Sequence, residues 1–425
     1  LVNSTIAGFR LSAQQERAWI ELQQGSGRAY RAQCKVLFEG PLDEPRLLAA
    51  VKALVARHEI LRTVFHRQSG VKLPFQVIQD TGAVDWKEVD LAALPEAAQA
   101  REVADHLRRD ADFDLEHGPV LRALLATFSR EKHLLVLTLP ALCADQVSLR
   151  NLVDEIGKTY AAEMEGDGPE VMQYADFVEW QHELLEGEDT RAGRDFWREY
   201  CKQANFSSAI ALPQEKKTGE SGSFSPECFV SEMDGGLVSH IEQFCTQHGG
   251  SVESLLLALW DVLLSRLTGA ADITVSCELD GRKYEELESA VGLFAQGLPI
   301  VLKIEPDRPV ASLCGAAKDA VEQARNWQES FAWRLVELAS GTMPSAALGF
   351  GYVELPGKTV YGGLALTVLE QYACYDRFKL QLVAMRQESR LRLEFHYDAS
   401  VLERSSVERI AGYFQTLLAA AVKHP

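Results

Sequence analysis

The segment Thr138-Leu139-Pro140-Ala141-Leu142-Cys143-Ala144-Asp145-Gln146-Val147-Ser148 places a thiol, a carboxylate and a hydroxyl within six residues. A thiolate at Cys143 could accept an acyl group. It would need a cation or a base beside it to lower its pKa, and no neighbour in the sequence supplies one. Cys143 therefore reads as a buried structural thiol, an inert wall residue or a nucleophile, in that order. Ser148 reads as a helix cap or a back-bonding hydroxyl. Arg57-His58-Glu59 brings an imidazole between two charges, and His58 is read as packing or supporting a neighbour. Cys245 and His248 stand three apart without a second ligand pair, so a helix end is the better reading and no metal site is expected. The other histidines are dispersed. Gly249-Gly250 and Gly362-Gly363 read as turns, and no phosphate-cradling loop is found.

The elements that hold these residues alternate between helix and strand. Ser12 with Gln15 makes a capping box for a first helix. Alternating apolar residues over 34–38 predict a strand. Asp43-Glu44-Pro45 opens a helix with apolar residues at helical spacing. Short strands are expected over 61–65 and 74–78, and a helix over 100–110. Two strands, 120–129 and 132–139, lead into the chemical segment. The second is apolar throughout and should be central in its sheet. A helix over 149–162 follows. Glu165 to Glu170 is the clearest linker signal, a helical stretch runs from 173 to about 202, and 214–226 is a polar surface loop. The second half repeats the logic, with helices at 237–247, 252–267, 310–327 and 406–422 and strands at 273–277 and 391–397. The implied domains are 1–172 and 173–425, the latter beginning with a linking helix.

With 425 residues, 47% hydrophobic and 24% charged, the chain has room for two globular lobes. A net charge of −18 opposes binding to nucleic acid. No apolar run is long enough to span a bilayer. The eight cysteines form no CxxC pair, which fits reduced thiols in the cytoplasm rather than a disulfide or zinc framework. The start Leu1-Val2-Asn3-Ser4 has neither Met nor signal character, which suggests a piece of a longer polypeptide.

Five segments carry a family resemblance. Leu11 to Trp19 resembles an LSxxQxRxW opening, with Ser12, Gln15 and Arg17 in place. Arg57 to Phe65 matches RHExLRTxF, including Arg57, His58 and Glu59. Tyr174 to Gln181 matches YxDFxxWQ through Tyr174, Asp176 and Trp180. Val291 to Gln296 resembles (I/V)GxFxN through Gly292 and Phe294, with Gln for Asn. The tail from Phe395 to Pro425 also fits. Together they resemble the condensation domains of nonribosomal peptide synthetases.

The resemblance implies an α/β fold of two chloramphenicol-acetyltransferase-like lobes in a V-shaped pseudo-dimer with a central tunnel. A segment near Asp280-Gly281-Arg282 would bridge the lobes, and a later excursion would latch one lobe over the other. No cofactor is bound directly; phosphopantetheine arms of peptidyl or acyl carrier proteins would deliver substrates. Adjacent synthetase modules are the implied partners.

The family's HHxxxDG motif should fall on the chemical segment. Aligned on Asp145, the two histidines become Pro140 and Ala141, and the glycine becomes Gln146. By family position Asp145 should pair with Arg62. Alanine has no polar side-chain atom and proline no N–H. Losing general acid–base help costs roughly 10²–10⁴-fold, whereas positioning can supply an effective molarity of about 10⁵–10⁸ M. Catalysis is therefore weakened without being abolished in principle, and whether the chain is an enzyme stays open. Gln146 adds bulk where an arm needs space. The family's HxxxPFE-like element is also missing, with Ser330-Phe331-Ala332-Trp333-Arg334-Leu335 near its place. The first reading is a noncatalytic platform that recruits a tailoring enzyme acting in trans. The second is an atypical domain still forming an amide or ester. An acyltransferase using free coenzyme A ranks last.

Overall fold

The computed structural model describes residues 8–423 except 26, 111, 163–169, 189, 204–209, 217–222, 306 and 335–346. Residues 165–169 of the linker read at 165–170 and part of the loop at 214–226 thus lie outside the described residues, as does Leu335.

The chain divides into two compact units. The first comprises 1–183, 282–295 and 356–376; the second comprises 184–281, 296–355 and 377–425. The single boundary expected at 172/173 is therefore replaced by an interleaved division. The helix at 174–186 belongs mostly to the first unit, because Tyr174, Phe177 and Val178 bury their side chains there.

Along the chain, β1 (Arg31–Glu39), β2 (Thr63–His66), β3 (Phe75–Ile78), β4 (Val84–Asp90), β5 (Leu121–Ser129) and β6 (Lys132–Pro140) come first. Then follow β7 (Pro226–Glu232), β8 (Asp272–Leu279), β9 (Gln296–Lys303), β10 (Leu348–Leu355), β11 (Thr359–Tyr361), β12 (Leu364–Ala373), β13 (Leu380–Gln387) and β14 (Arg390–Asp398). The first unit's sheet has the order β11-β12-β1-β6-β5-β4, and the second unit's has the order β7-β14-β13-β10-β8-β9. Each is mixed: β4 with β5, and β10 with both β8 and β13, are parallel. The apolar run of β6 is central, flanked by β1 and β5 and buried at every position after Lys132. The chloramphenicol-acetyltransferase-like α/β class expected from the sequence is the class observed.

Among the described residues the helices are α1 (Ala13–Gln24), α2 (Glu44–Arg57), α3 (Glu96–Arg109), α4 (Gln146–Ala161), α5 (Tyr174–Glu186), α6 (Arg191–Gln203), α7 (Gly235–His248), α8 (Val252–Thr268), α9 (Glu285–Glu288), α10 (Val310–Asn326) and α11 (Arg404–Ala421). Their starts follow local chemistry. Ser12 caps α1 in a capping box with Gln15, Asp43 caps α2, and Ser251 caps α8. The single helical stretch expected over 173–202 is two helices, α5 and α6.

In the second unit, α8 packs on β8, β10 and β13 and against α10 and α11. Trp260 meets Phe395 and Phe414 edge-on, and its indole N–H donates to the Gly349 carbonyl at 3.0 Å. In the first unit α4 lies on β1, β11 and β12 and beside α2. Among the described residues, no helix is long and apolar enough to cross a membrane.

Candidate functional site at the β6–α4 turn

The β6 strand ends at Pro140, opposite Arg31 of β1. The Ala141 N–H donates to the Tyr30 carbonyl at 3.2 Å, and the Cys143 N–H donates to the Pro140 carbonyl at 2.9 Å. From outside the turn, Gln15 Nε2 donates to the Leu142 carbonyl at 2.9 Å and to Gln76 Oε1 at 3.0 Å. All four residues 141–144 are buried. Asp145 then caps α4: its Oδ1 accepts from the Ser148 N–H and lies beside the Ser148 hydroxyl, each at 2.8 Å.

The Asp145 carboxylate is fully buried. Arg282 grips it with both terminal nitrogens, Nη1 to Oδ2 at 2.8 Å and Nη2 to Oδ1 at 3.1 Å. The Phe294 and Ala295 N–H groups donate to Oδ2, both at 2.9 Å. Burial works against the charge, but Arg282 and then Ser148 hold this carboxyl below its usual range. Arg282 also donates to Ser148 Oγ at 2.9 Å and to the Ala290 carbonyl at 3.1 Å, and it lies over the Phe294 ring at 4.3 Å. The Ser148 hydroxyl accepts from the Gly292 N–H at 3.0 Å and faces the Gly292 carbonyl at 2.7 Å. With one proton to give, it serves either that carbonyl or Asp145.

This arrangement corrects the pairing of Arg62 with Asp145. Arg62 closes the 3-10 turn Glu59–Arg62, so its near partner is Glu59, at 3.3 Å. Its guanidinium also reaches the Gln79 carbonyl at 2.5 Å, while the Gln79 N–H returns a bond to the Arg62 carbonyl. The cation that neutralises Asp145 is Arg282.

The other signature residues fall into separate groups. The Tyr174 hydroxyl donates to the Leu293 carbonyl at 2.6 Å and accepts from Ser12 Oγ at 2.8 Å. Its ring stands edge-on to Phe294, and a Cβ at Gly292 would come within 2.0 Å of it. Ser12, Tyr174, Gly292, Phe294, Arg282 and Asp145 thus form one buried cluster. Arg57 and His58 instead share Glu155 of α4, at 3.2 and 2.8 Å. Arg17 binds Asp376 at 2.9 Å and Glu21 at 3.2 Å. Asp176 is exposed in the first turn of α5, and the half-exposed Trp180 meets Tyr284 edge-on. Phe331 and Trp333, near the place of the missing HxxxPFE element, are buried in the second unit's core.

Two contributors carried no sequence signal. Gln371 of β12 donates to the Gln146 backbone carbonyl at 2.6 Å and approaches its side-chain oxygen at 3.4 Å. Gln76 meets Gln15 from β3. Both depend on contacts between distant segments, which no local pattern encodes.

The turn offers little for proton transfer. Burial pushes the Cys143 thiol well above its ordinary value, so it stays protonated and a poor nucleophile. The first unit's histidines have other neighbours: His58 has Glu155, His66 has Glu116, His106 has Glu102, His117 has Asp114, His133 has Thr127, and His182 has the Leu11 carbonyl. Asp145 spends its oxygens on Arg282 and the backbone. Pro140 and Ala141 supply no polar side-chain atom.

The family profile described as Condensation domain matches residues 8–425. Chondramide synthase cmdD of Chondromyces crocatus is 26% identical over 429 residues, covering 98% of this chain and 11% of that protein. The chain therefore spans about a tenth of that relative's length. The condensation domain of the Monacolin K polyketide synthase MokA superposes with a TM-score of 0.87 at 20% identity, covering 100% and 99% of the two chains. The X-domain from teicoplanin biosynthesis superposes with a TM-score of 0.80 at 22% identity, covering 99% and 96%. The same X-domain in complex with OxyB gives 0.78 at 20% identity, covering 98% and 94%. At these identities, the three structural likenesses concern the fold.

Proposed function

The chain belongs to the condensation-domain family, and from that premise we propose that it serves a cytoplasmic nonribosomal peptide synthetase as a noncatalytic platform. It would receive carrier-protein-bound intermediates on phosphopantetheine arms and present them to a tailoring enzyme recruited in trans. Adjacent synthetase modules would supply the carriers.

The observation that carries this reading is Ala141, a buried methyl group where the family places its proton-handling imidazole. No side chain of the turn takes over that task, since Cys143 is buried and raised and Asp145 is committed to Arg282. Gln146, buried against Gln371, adds side-chain bulk where the family has glycine. An X-domain of similar fold has been captured with OxyB, which supports recruitment as a use for this scaffold.

A second reading is favoured by the intact Asp145–Arg282 network. The turn keeps its geometry, so a domain that still joins an amide or ester by positioning alone is the alternative.

One experiment separates the two. The chain is incubated with donor-loaded and acceptor-loaded carrier proteins, and the pantetheine arms are weighed by mass spectrometry. A platform leaves both arms unchanged over the uncatalysed background while binding the carriers. An acceptor arm heavier by the donor acyl group, at a rate above that background, overturns the platform reading.

Replacing the missing imidazole is a sharper form of the test. Ala141→His places a ring in a fully packed turn, which costs ~1–2 kcal/mol of stability through overpacking. Condensation is expected to stay at background, because Gln146 remains. Robust product from this single variant would remove Gln146 from the argument.

A further inference from the structure

In the second unit, far in sequence from the β6–α4 turn, three ligand-type side chains meet on one face of a sheet. β7 and β14 run antiparallel with Cys228 opposite His396, and Glu394 lies two residues from His396 on the same strand. The pleat therefore points all three to the same side. Cys228 Sγ stands 3.9 Å from His396 Nε2, which stands 2.9 Å from Glu394 Oε2. The three donor atoms lie within 4.8 Å of one another.

The geometry could serve two chemistries. A nucleophilic triad needs the imidazole to receive the thiol proton on one ring nitrogen and be oriented through the other. Here the same nitrogen, Nε2, faces both the thiol and the carboxylate, so that relay cannot operate. Atoms that converge on a common point suit a cation instead. In a tetrahedral zinc site, neighbouring sulfur, nitrogen and oxygen ligands are separated by ~3.3–3.7 Å. The two contacts here bracket that range.

We propose that Cys228, Glu394 and His396 form a binding site for a borderline divalent cation, zinc by its donor set. Sulfur, imidazole and carboxylate together are zinc ligands. Arg392 is hydrogen-bonded to Glu394 Oε1, which leaves Oε2 directed at His396. Such a contact to the far oxygen orients a ligand carboxylate. β7 is an edge strand, and Cys228 is half-buried while Glu394 and His396 are buried, which gives an ion a way in from one side. On binding, the Cys228 thiol loses its proton to solvent, and His396 coordinates as a neutral ring with its proton on Nδ1. Three protein ligands leave a fourth position for water.

The whole chain, stripped with a chelator, is loaded with zinc or cobalt(II), desalted and assayed for retained metal. The expected result is one equivalent per chain and, with cobalt, a sulfur-to-metal charge-transfer band. Cys228→Ser should abolish that band, and His396→Asn should weaken retention by at least about tenfold. No retained metal in the wild type, or an equal band in Cys228→Ser, overturns the proposal. Should either variant fail to fold, the wild type alone decides. Zinc should slow alkylation of the Cys228 peptide by about tenfold or more, and an unchanged rate sinks the site.

Discussion

Arg282→Ala is expected to destabilise the first unit by ~3–5 kcal/mol. The substitution leaves Asp145, fully buried, without the Arg282 cation and with the N–H groups of Phe294 and Ala295 as its remaining distant donors. It also removes the guanidinium from the Phe294 ring and from the Ala290 carbonyl. Arg62→Ala is the matched control. Arg62 pairs with a partly exposed Glu59, so its loss should cost no more than ~1 kcal/mol. Urea unfolding of the two variants beside the wild type makes the comparison. Equal losses would show that the Asp145–Arg282 pair contributes nothing special.

The same pair sets an acid limit. Asp145 is held below its unfolded value, so its contribution is complete above that unfolded value. It is lost as pH falls through the folded one. In Arg282→Ala this acid-side dependence should shrink, because the main force lowering the carboxyl is gone.

Asp261→Leu is expected to stabilise the second unit by ~1–3 kcal/mol at neutral pH. Asp261 sits in the middle of α8, essentially sealed from solvent, and among the described residues neither carboxylate oxygen has a hydrogen-bond partner. Burial raises its pKa well above the ordinary value. The folded chain therefore keeps a proton that the unfolded chain releases above about pH 4. Stability attributable to this group is full below that pH and declines as pH rises toward the folded value. The gain from leucine should accordingly be larger at about pH 8 than at about pH 4. Chemical denaturation at the two values measures it. A variant less stable than the wild type at both would mean that Asp261 has a partner worth keeping.

Much of the scaffold was legible because it is written locally. The Ser12–Gln15 capping box, the Asp43-Glu44-Pro45 helix start and the apolar run of β6 each declare themselves within a few residues. The strands β4, β7, β9 and β10 to β13 were not anticipated. Several carry polar or mixed faces, such as Val84–Asp90, whose place at a sheet edge relieves it of burying a regular stripe. The site was legible in its composition and not in its wiring. Ala141 and Asp145 could be read from their spacing after β6, but the identity of the cation on Asp145 is a tertiary fact. Arg62 was the nearer candidate by family position, and the 3-10 turn gave it a neighbour of its own. Likewise, Gly292 matched a signature in the sequence, yet only the Tyr174 ring stacked against it explains why a side chain there has no room.

The first sheet is finished late. β1 lies between β6 and β12, and β12 is supplied by residues 364–373. During synthesis, a nascent chain that has emerged through residue 183 holds β1 with one long flank unpaired and Asp145 without Arg282. The missing cation arrives from the ribosome only after residues 184–281 of the second unit, and the missing strand only after 296–355 as well. Such an edge is a template for pairing with another chain, so the order of translation makes the first unit dependent on shielding until the polypeptide returns to complete it.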